Sequence, residues 1–344
     1  MGIVKLPIAE SPVIGYQRLA YELGILLGYE ECLPWFYCNF IQLKWNKELK
    51  SPVNFYCLWL TQNPLLGTQV IRKNMLQIHH INIHDFIMDC IGSREYFYST
   101  FDEFYVPRRP DFGKRHFFHD FLIYGFDSVR KEYLLLGFDE RQMYRTTSIR
   151  YDEFEKAFFS EEIGPEYIHL INKNVNARFE FDLQLIYEML GDYLNGRNTS
   201  ERYRMYNNPM KNFVFGMDIY EQLGMYFTLL GEGRFENDVK PLHILYEHKK
   251  CMVLRIEYMM KNHYIEPAPF LYDEYGKIAE DVLALRNLQL KYGITNEKKY
   301  LEQIVDALPY VQNKEKRLLR ILSDMICKKL KTPESKAQVA VYPL

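Results

Sequence analysis

Between His119 and Glu140 the chain reads HDFLIYGFDSVRKEYLLLGFDE, and this stretch restricts the possible folds more than any other. Phe121, Ile123 and Gly125 alternate with Leu122, Tyr124 and Phe126, the period-2 pattern of a strand with two useful faces. Asp127 and Ser128 supply turn chemistry, and Tyr133 to Leu136 form a second apolar run. Antiparallel pairing of the two runs brings His119 and Asp139 to the same end of a hairpin. A carboxylate placed there can hold an imidazole in one tautomer, the second half of a nucleophile–base–orienter triad. The nucleophile has to come from elsewhere in the chain.

At 344 residues the chain is long enough for one large domain or two intimate ones. With 48% apolar and 26% charged residues its composition is that of an ordinary globule. The 28 Tyr and 23 Phe point either to aromatic-filled cores or to a groove for an extended ligand, and tyrosines on the polar faces of helices favour the first. A net charge of −2 provides no basic field for nucleic acid. No run reaches the ~18 apolar residues of a membrane span, and MGIVKLPIAESP has no signal-peptide core. These features predict a cytosolic protein without membrane or nucleic-acid partners. The scattered cysteines 32, 38, 57, 90, 251 and 327 form no CxxC, so they are expected as free thiols without a zinc or redox site.

Residues 16–28 carry a helical apolar stripe through Leu19, Leu23, Ile25 and Leu26, with Gly28 as a stop. Residues 55–60 read as a strand, 69–89 as a helix, 95–106 as a strand, and 146–160 as strand then helix opened by Tyr151-Asp152. From about residue 160 the pattern changes to 3.6-period stripes over 182–194, 213–230, 241–263, 272–292 and 298–331. Gly293 is expected to end one of these helices and Pro309 to kink or split the last, before a frayed terminal dozen residues. The fold class is therefore α+β in residues 1–165, followed by an all-helical domain over 166–344.

A helix near the N-terminus followed by a hairpin opened by His and closed by Asp is the layout of papain-like proteins. Their nucleophilic thiol sits at the head of the first helix, where the helix dipole lowers its pKa. The hairpin, the preceding EFYVPRRP and the following IRYDEFEKAF resemble the butirosin-biosynthesis acyltransferase family and its relatives in nonribosomal peptide clusters. FGMDIYEQL and PLHILYEHKKCMVLRIEYM resemble the helical portion of that family. The resemblance implies a papain-like fold and acyl transfer from a carrier-protein thioester onto a small amine, through a Cys–His–Asp site. It assigns His119 as general base and Asp139 as its orienter, and it implies an acyl or peptidyl carrier protein as partner. No cofactor is implied beyond the phosphopantetheine that carries the substrate. Where the family's cysteine is expected this chain has Gly15-Tyr16, so either the thiol has moved to Cys32 or it has been lost. In the second case the chain is an inactive relative that binds a carrier protein or peptide intermediate. A cysteine peptidase would use the same three residues.

Other residues compete for roles. His116 is the second candidate base, and Glu140 adjoins Asp139, so the hairpin register decides which acid faces the imidazole. His80 and His84, at i and i+4 of an expected helix with His79 and Asp85 nearby, could ligate a metal, although a solvated helix face explains them as well. Gln17 stands where an oxyanion donor would, and Arg108 with Arg109 form an exposed pair suited to a phosphopantetheine phosphate. Glu247, His248, Cys251 and Arg255 share one side of a helix and are expected as a satisfied polar network against the N-terminal half.

Overall fold

The structure is a computed structural model that describes residues 2–48, 53–57, 62–160, 166–205 and 208–331. Its first elements are β1 (Ile3–Lys5), α1 (Gln17–Leu26), α2 (Leu33–Cys38), β2 (Leu43–Asn46), β3 (Val53–Phe55), β4 (Leu66–Arg72), α3 (Asn74–Ile78) and α4 (Ile83–Gly92). Then come β5 (Tyr96–Asp102), β6 (Phe118–Asp127), β7 (Glu132–Phe138), β8 (Tyr144–Arg150), α5 (Tyr151–Phe158) and β9 (Tyr167–Lys173). The remainder is α6 (Leu183–Leu194), β10 (Phe213–Phe215), α7 (Ile219–Gly231), α8 (Lys240–Lys261), α9 (Pro269–Thr295) and α10 (Lys299–Leu330). These elements form two compact units, Met1–Leu33 with Leu58–Phe179, and Pro34–Cys57 with Glu180–Leu344. No helix among the described residues is long and apolar enough to cross a membrane.

The first unit is α+β, built on an antiparallel sheet in the order β4-β9-β5-β6-β7-β8. β5 pairs with Phe118–Ile123 of β6, and β1 continues along the same edge against Gly125–Asp127. The β6–β7 hairpin forms as its alternation predicts, with Leu122 opposite Leu136 and Asp127 opposite Glu132. Asp127 closes the turn by accepting the backbone N–H groups of Val129 and Arg130, an Asx turn. α5 covers one sheet face with Phe154 and Phe158, which pack on the ring of Phe101, itself stacked on Phe121. Each such aromatic contact contributes roughly 0.5–1.5 kcal/mol beyond its buried area. α1 covers the opposite face, its Tyr21 ring lying edge-on to Tyr98 at 5.7 Å.

Four expectations need correction here. The helix expected over 69–89 is an edge strand, β4, followed by two short helices. The chain breaks at His80 (φ +52) and restarts at Asn82, whose side chain caps the N–H groups of His84 and Asp85. The α+β part does not stop at 165, because β9 inserts between β4 and β5. Nor is the second unit all-helical. It contains a three-stranded sheet in the order β10-β2-β3, to which the excursion of residues 34–57 supplies β2 and β3. Residues 213–215 are the strand of this sheet that had been expected as helix, and α7 begins only after Gly216 (φ +57). Residues 58–60 of the expected strand and the terminal residues 332–344 lie outside the described residues.

α9 continues through Gly293 to Thr295 and ends on the left-handed Asn296, while α10 runs on through Pro309. On α8, the polar side is satisfied within its own unit by the segment 37–41. His248 Nε2–H donates to the Ile41 carbonyl at 2.7 Å, and the Arg255 guanidinium donates to the carbonyls of Tyr37 and Asn39.

Candidate functional site

His119 is the second residue of β6, directly opposite Phe101 on β5. The α1 helix begins at Gln17, and the side chain of Gln17 fixes the relation between the two. Its amide nitrogen donates to the Asp120 carbonyl at 2.5 Å and lies 3.3 Å from His119 Nδ1. Its amide oxygen accepts the Phe138 N–H at 3.3 Å. The Asp120 carbonyl and Phe138 N–H would face each other if the Leu122–Leu136 pairing continued two residues further. Gln17 therefore wedges the ribbon open at its end and holds the imidazole against the helix head. Tyr21, one turn along α1, reinforces the wedge by donating to the same Asp120 carbonyl at 2.9 Å. Both ends of the Gln17 amide are engaged in this way, so its expected role as an oxyanion donor gives way to a positioning one.

The His119 imidazole is 33% exposed and stands between two carboxylates, with Nδ1 3.5 Å from Glu103 Oε1 and Nε2 3.8 Å from Asp120 Oδ1. Glu103 is buried in the turn after β5, and burial pushes its carboxyl up to about 7, against the opposing pull of the Arg109 charge. Asp139 lies at the same end of the ribbon but is turned away from the imidazole. Its Oδ1 accepts the N–H groups of Arg141 and Met143, each at 2.9 Å, and its other oxygen pairs with Arg145. Burial would raise the Asp139 pKa, but these hydrogen bonds and the Arg145 charge hold it below the usual carboxylate range. The acid beside His119 is thus Glu103. Asp139 is corrected to a turn staple because its own loop offers two N–H groups at short range.

Cys32 also needs correction. It closes a short 3-10 turn after α1, is fully buried, and burial pushes its thiol up to about 11. Its charged neighbours are Glu31 and Lys173, and Lys173 lies beyond Ile171, the partner of Tyr96. His119 is opposite Phe101, five residues further along β5, a separation of about 17 Å at strand rise. The other thiol of this unit, Cys90, is buried near Glu95, which places it at the same far end. Neither can exchange a proton with His119.

The remaining candidates are occupied. His116 Nδ1–H donates to the Asp102 carboxylate at 2.6 Å and its ring stacks on Phe104 at 4.4 Å, which ties down the β5–β6 loop. His84 bridges Tyr133 (2.6 Å) and Glu155 (3.1 Å), and the break at His80 removes the i, i+4 relation. Arg108 is exposed as expected, whereas Arg109 is buried. Glu103 and Asp120 were missed in the sequence; their signal was their position, Asp120 directly after His119 and Glu103 two residues past Phe101, the partner of His119 across β5 and β6. No family model matches this chain, and no curated protein does either.

Proposed function

We propose that the first unit is a papain-like domain of specialised-metabolite assembly, one that engages an acyl or peptidyl thioester on a carrier protein without forming an acyl-enzyme. The observation that supports this reading is the His119 imidazole set against the head of the first helix through Gln17, with both thiols of the unit at the other end of the sheet. Acyl transfer or peptide cleavage through Cys32 loses its support on the same ground. The test is intact-protein mass spectrometry after incubation with an acyl-loaded carrier protein. Co-elution of the carrier without an acyl adduct is the expected result. An adduct on Cys32 that disappears in Cys32→Ala would overturn the reading.

A second reading rests on the exposure of His119 between Glu103 and Asp120. In it the amine attacks the carrier thioester directly within a ternary complex, His119 accepts the amine proton, and the phosphopantetheine thiolate leaves. Amide product that forms without a covalent intermediate and is lost in His119→Ala would favour this mechanism over binding alone.

A further inference from the structure

The loop after β5 reads Val106-Pro107-Arg108-Arg109-Pro110. Prolines restrict the backbone on both sides, and Arg108 adopts a left-handed conformation (φ +60). The turn leaves Arg108 in solvent and drives Arg109 inward until it is 2% exposed. The Arg109 guanidinium lies 4.4 Å over the Phe121 ring, and none of Nε, Nη1 and Nη2 has a hydrogen-bond partner among the described residues. It packs on the bare backbone of Gly137. A Cβ there would fall 2.9 Å from Nη1, 3.0 Å from Nη2 and 3.1 Å from the Tyr21 hydroxyl. The buried Tyr144 hydroxyl, close enough to feel the Arg109 charge, is likewise without a hydrogen-bond partner among the described residues.

Two acids are close enough to interact with this charge, Glu103 and Asp139, and neither is hydrogen-bonded to it. Asp139 is held by Arg145 and its own turn. Glu103, with its carboxyl at about 7, carries only part of a charge at neutral pH. A buried guanidinium with five unused donors is strongly unfavourable unless something supplies acceptors. The same Phe121 ring that supports Arg109 also has the His119 ring 6.5 Å away, so the unfilled cation belongs to the site around the imidazole.

We propose that Arg109 is the recognition point for a carboxylate on the ligand handled beside His119. The planar fork would take both oxygens, and the Tyr144 hydroxyl would donate to one of them. The inference rests on the reading above and adds a substrate class: either the amine acceptor or the tethered acyl chain carries a free carboxylate.

The test uses the full chain and 19F NMR with fluoroacetate, and its neutral counterpart fluoroacetamide as control. Broadening of the fluoroacetate line alone is expected, lost at least tenfold in Arg109→Met and partly restored in Arg109→Lys, with melting curves confirming that the variants fold. Equal broadening by the amide, no broadening by either probe, or fluoroacetate broadening undiminished in folded Arg109→Met would each overturn the proposal. Should Arg109→Met not fold, the ratio of fluoroacetate to fluoroacetamide binding in Arg109→Lys decides, and an unchanged ratio overturns it. Competition by glycine but not glycinamide assigns the carboxylate to the acceptor. Tighter capture of a succinyl-loaded than a butyryl-loaded carrier protein assigns it to the acyl chain. Carrier capture that survives while the carboxylate probe fails sinks this inference alone; the converse sinks the carrier reading and leaves the anion site.

Discussion

In the helical unit, Glu315 of α10 is fully buried and accepts from four donors, and this arrangement predicts unequal costs for removing the two charges of a buried pair. Lys249 Nζ donates to it at 2.6 Å, Tyr275 at 2.5 Å, Tyr220 at 2.6 Å, and Tyr193 at 3.3 Å. Lys249 also donates to Tyr193 Oη at 3.0 Å and to His248 Nδ1 at 3.1 Å. His248 Nε2–H is committed to the Ile41 carbonyl, so its Nδ1 is the acceptor. In Lys249→Met the carboxylate keeps three phenol donors and loses one charge-assisted bond, a cost of about 2–3 kcal/mol. In Glu315→Gln the ammonium is left buried without its counter-charge. Its escape is to deprotonate, which costs about 1.4 kcal/mol for each of the roughly 3.4 pH units between 7 and the free lysine value, about 5 kcal/mol in all.

The same argument fixes a pH dependence. Burial already drives the Lys249 pKa down, with Glu315 opposing. Without Glu315 the folded-state pKa falls further below that of the unfolded chain, so the unfolded state binds more protons between the two values. Stability of Glu315→Gln relative to wild type should then rise from pH 7 to pH 9.5 by ~1.4 kcal/mol per unit at most. Urea denaturation followed by far-UV circular dichroism measures both effects. A Lys249→Met loss equal to or larger than that of Glu315→Gln, or a difference that stays flat with pH, would refute the reasoning.

Three other outcomes are expected. Iodoacetamide should modify Cys32 far more slowly in the native protein than in urea, since the thiol is buried and held up to about 11; peptide mass spectrometry reads the rates. Burial holds the Glu22 carboxyl up at about 7, with the Asn63 amide donating at 2.6 Å and pulling the other way. A raised folded-state value means wild-type stability falls as pH rises from about 4.5 through 7, by about 3 kcal/mol, and Glu22→Gln should remove that fall in urea titrations across this range. Asp139→Ala should lower the urea midpoint by releasing the turn at 139–143 while leaving the proposed carrier-protein capture intact, whereas an orienter of His119 would lose both together.

The sequence revealed those parts of the fold whose pattern is local. The β6–β7 ribbon, β5 and the long helices α8 to α10 all show their period within a dozen residues. β9 does not, because YIHLINK becomes a strand through pairing with β4 and β5, which precede it by about 100 and about 70 residues respectively. The excursion of residues 34–57 into the helical unit depends on equally distant partners. At the site, the hairpin spacing placed Asp139 at the correct end of the ribbon, but two local N–H groups decided where its carboxylate points. Arg109 was misread because a left-handed residue between two prolines reverses the direction of its neighbour, which composition does not reveal.

The wedge formed by Gln17 also specifies where a working nucleophile would have to be. Gln17, the first residue of α1, lies with its amide nitrogen 3.3 Å from His119 Nδ1, so a nucleophile at the helix head would come from the residues just before it. Those residues are Gly15 and Tyr16, and Tyr16 is the extended N-cap (φ −123). A thiol at a helix N-terminus is acidified by the dipole and by unpaired backbone N–H groups, which would also face a tetrahedral oxyanion. Tyr16→Cys and Gly15→Cys should therefore each produce a thiol that alkylates faster than Cys32, and at least one should take an acyl group from a carrier thioester, as seen by intact mass. The adduct should disappear when His119→Ala is added, because the imidazole that accepts the thiol proton is gone. A head-of-helix thiol that never acylates while the variant stays folded would mean that His119 is fixed there for packing alone, and the proposed papain-like reading would lose its main support.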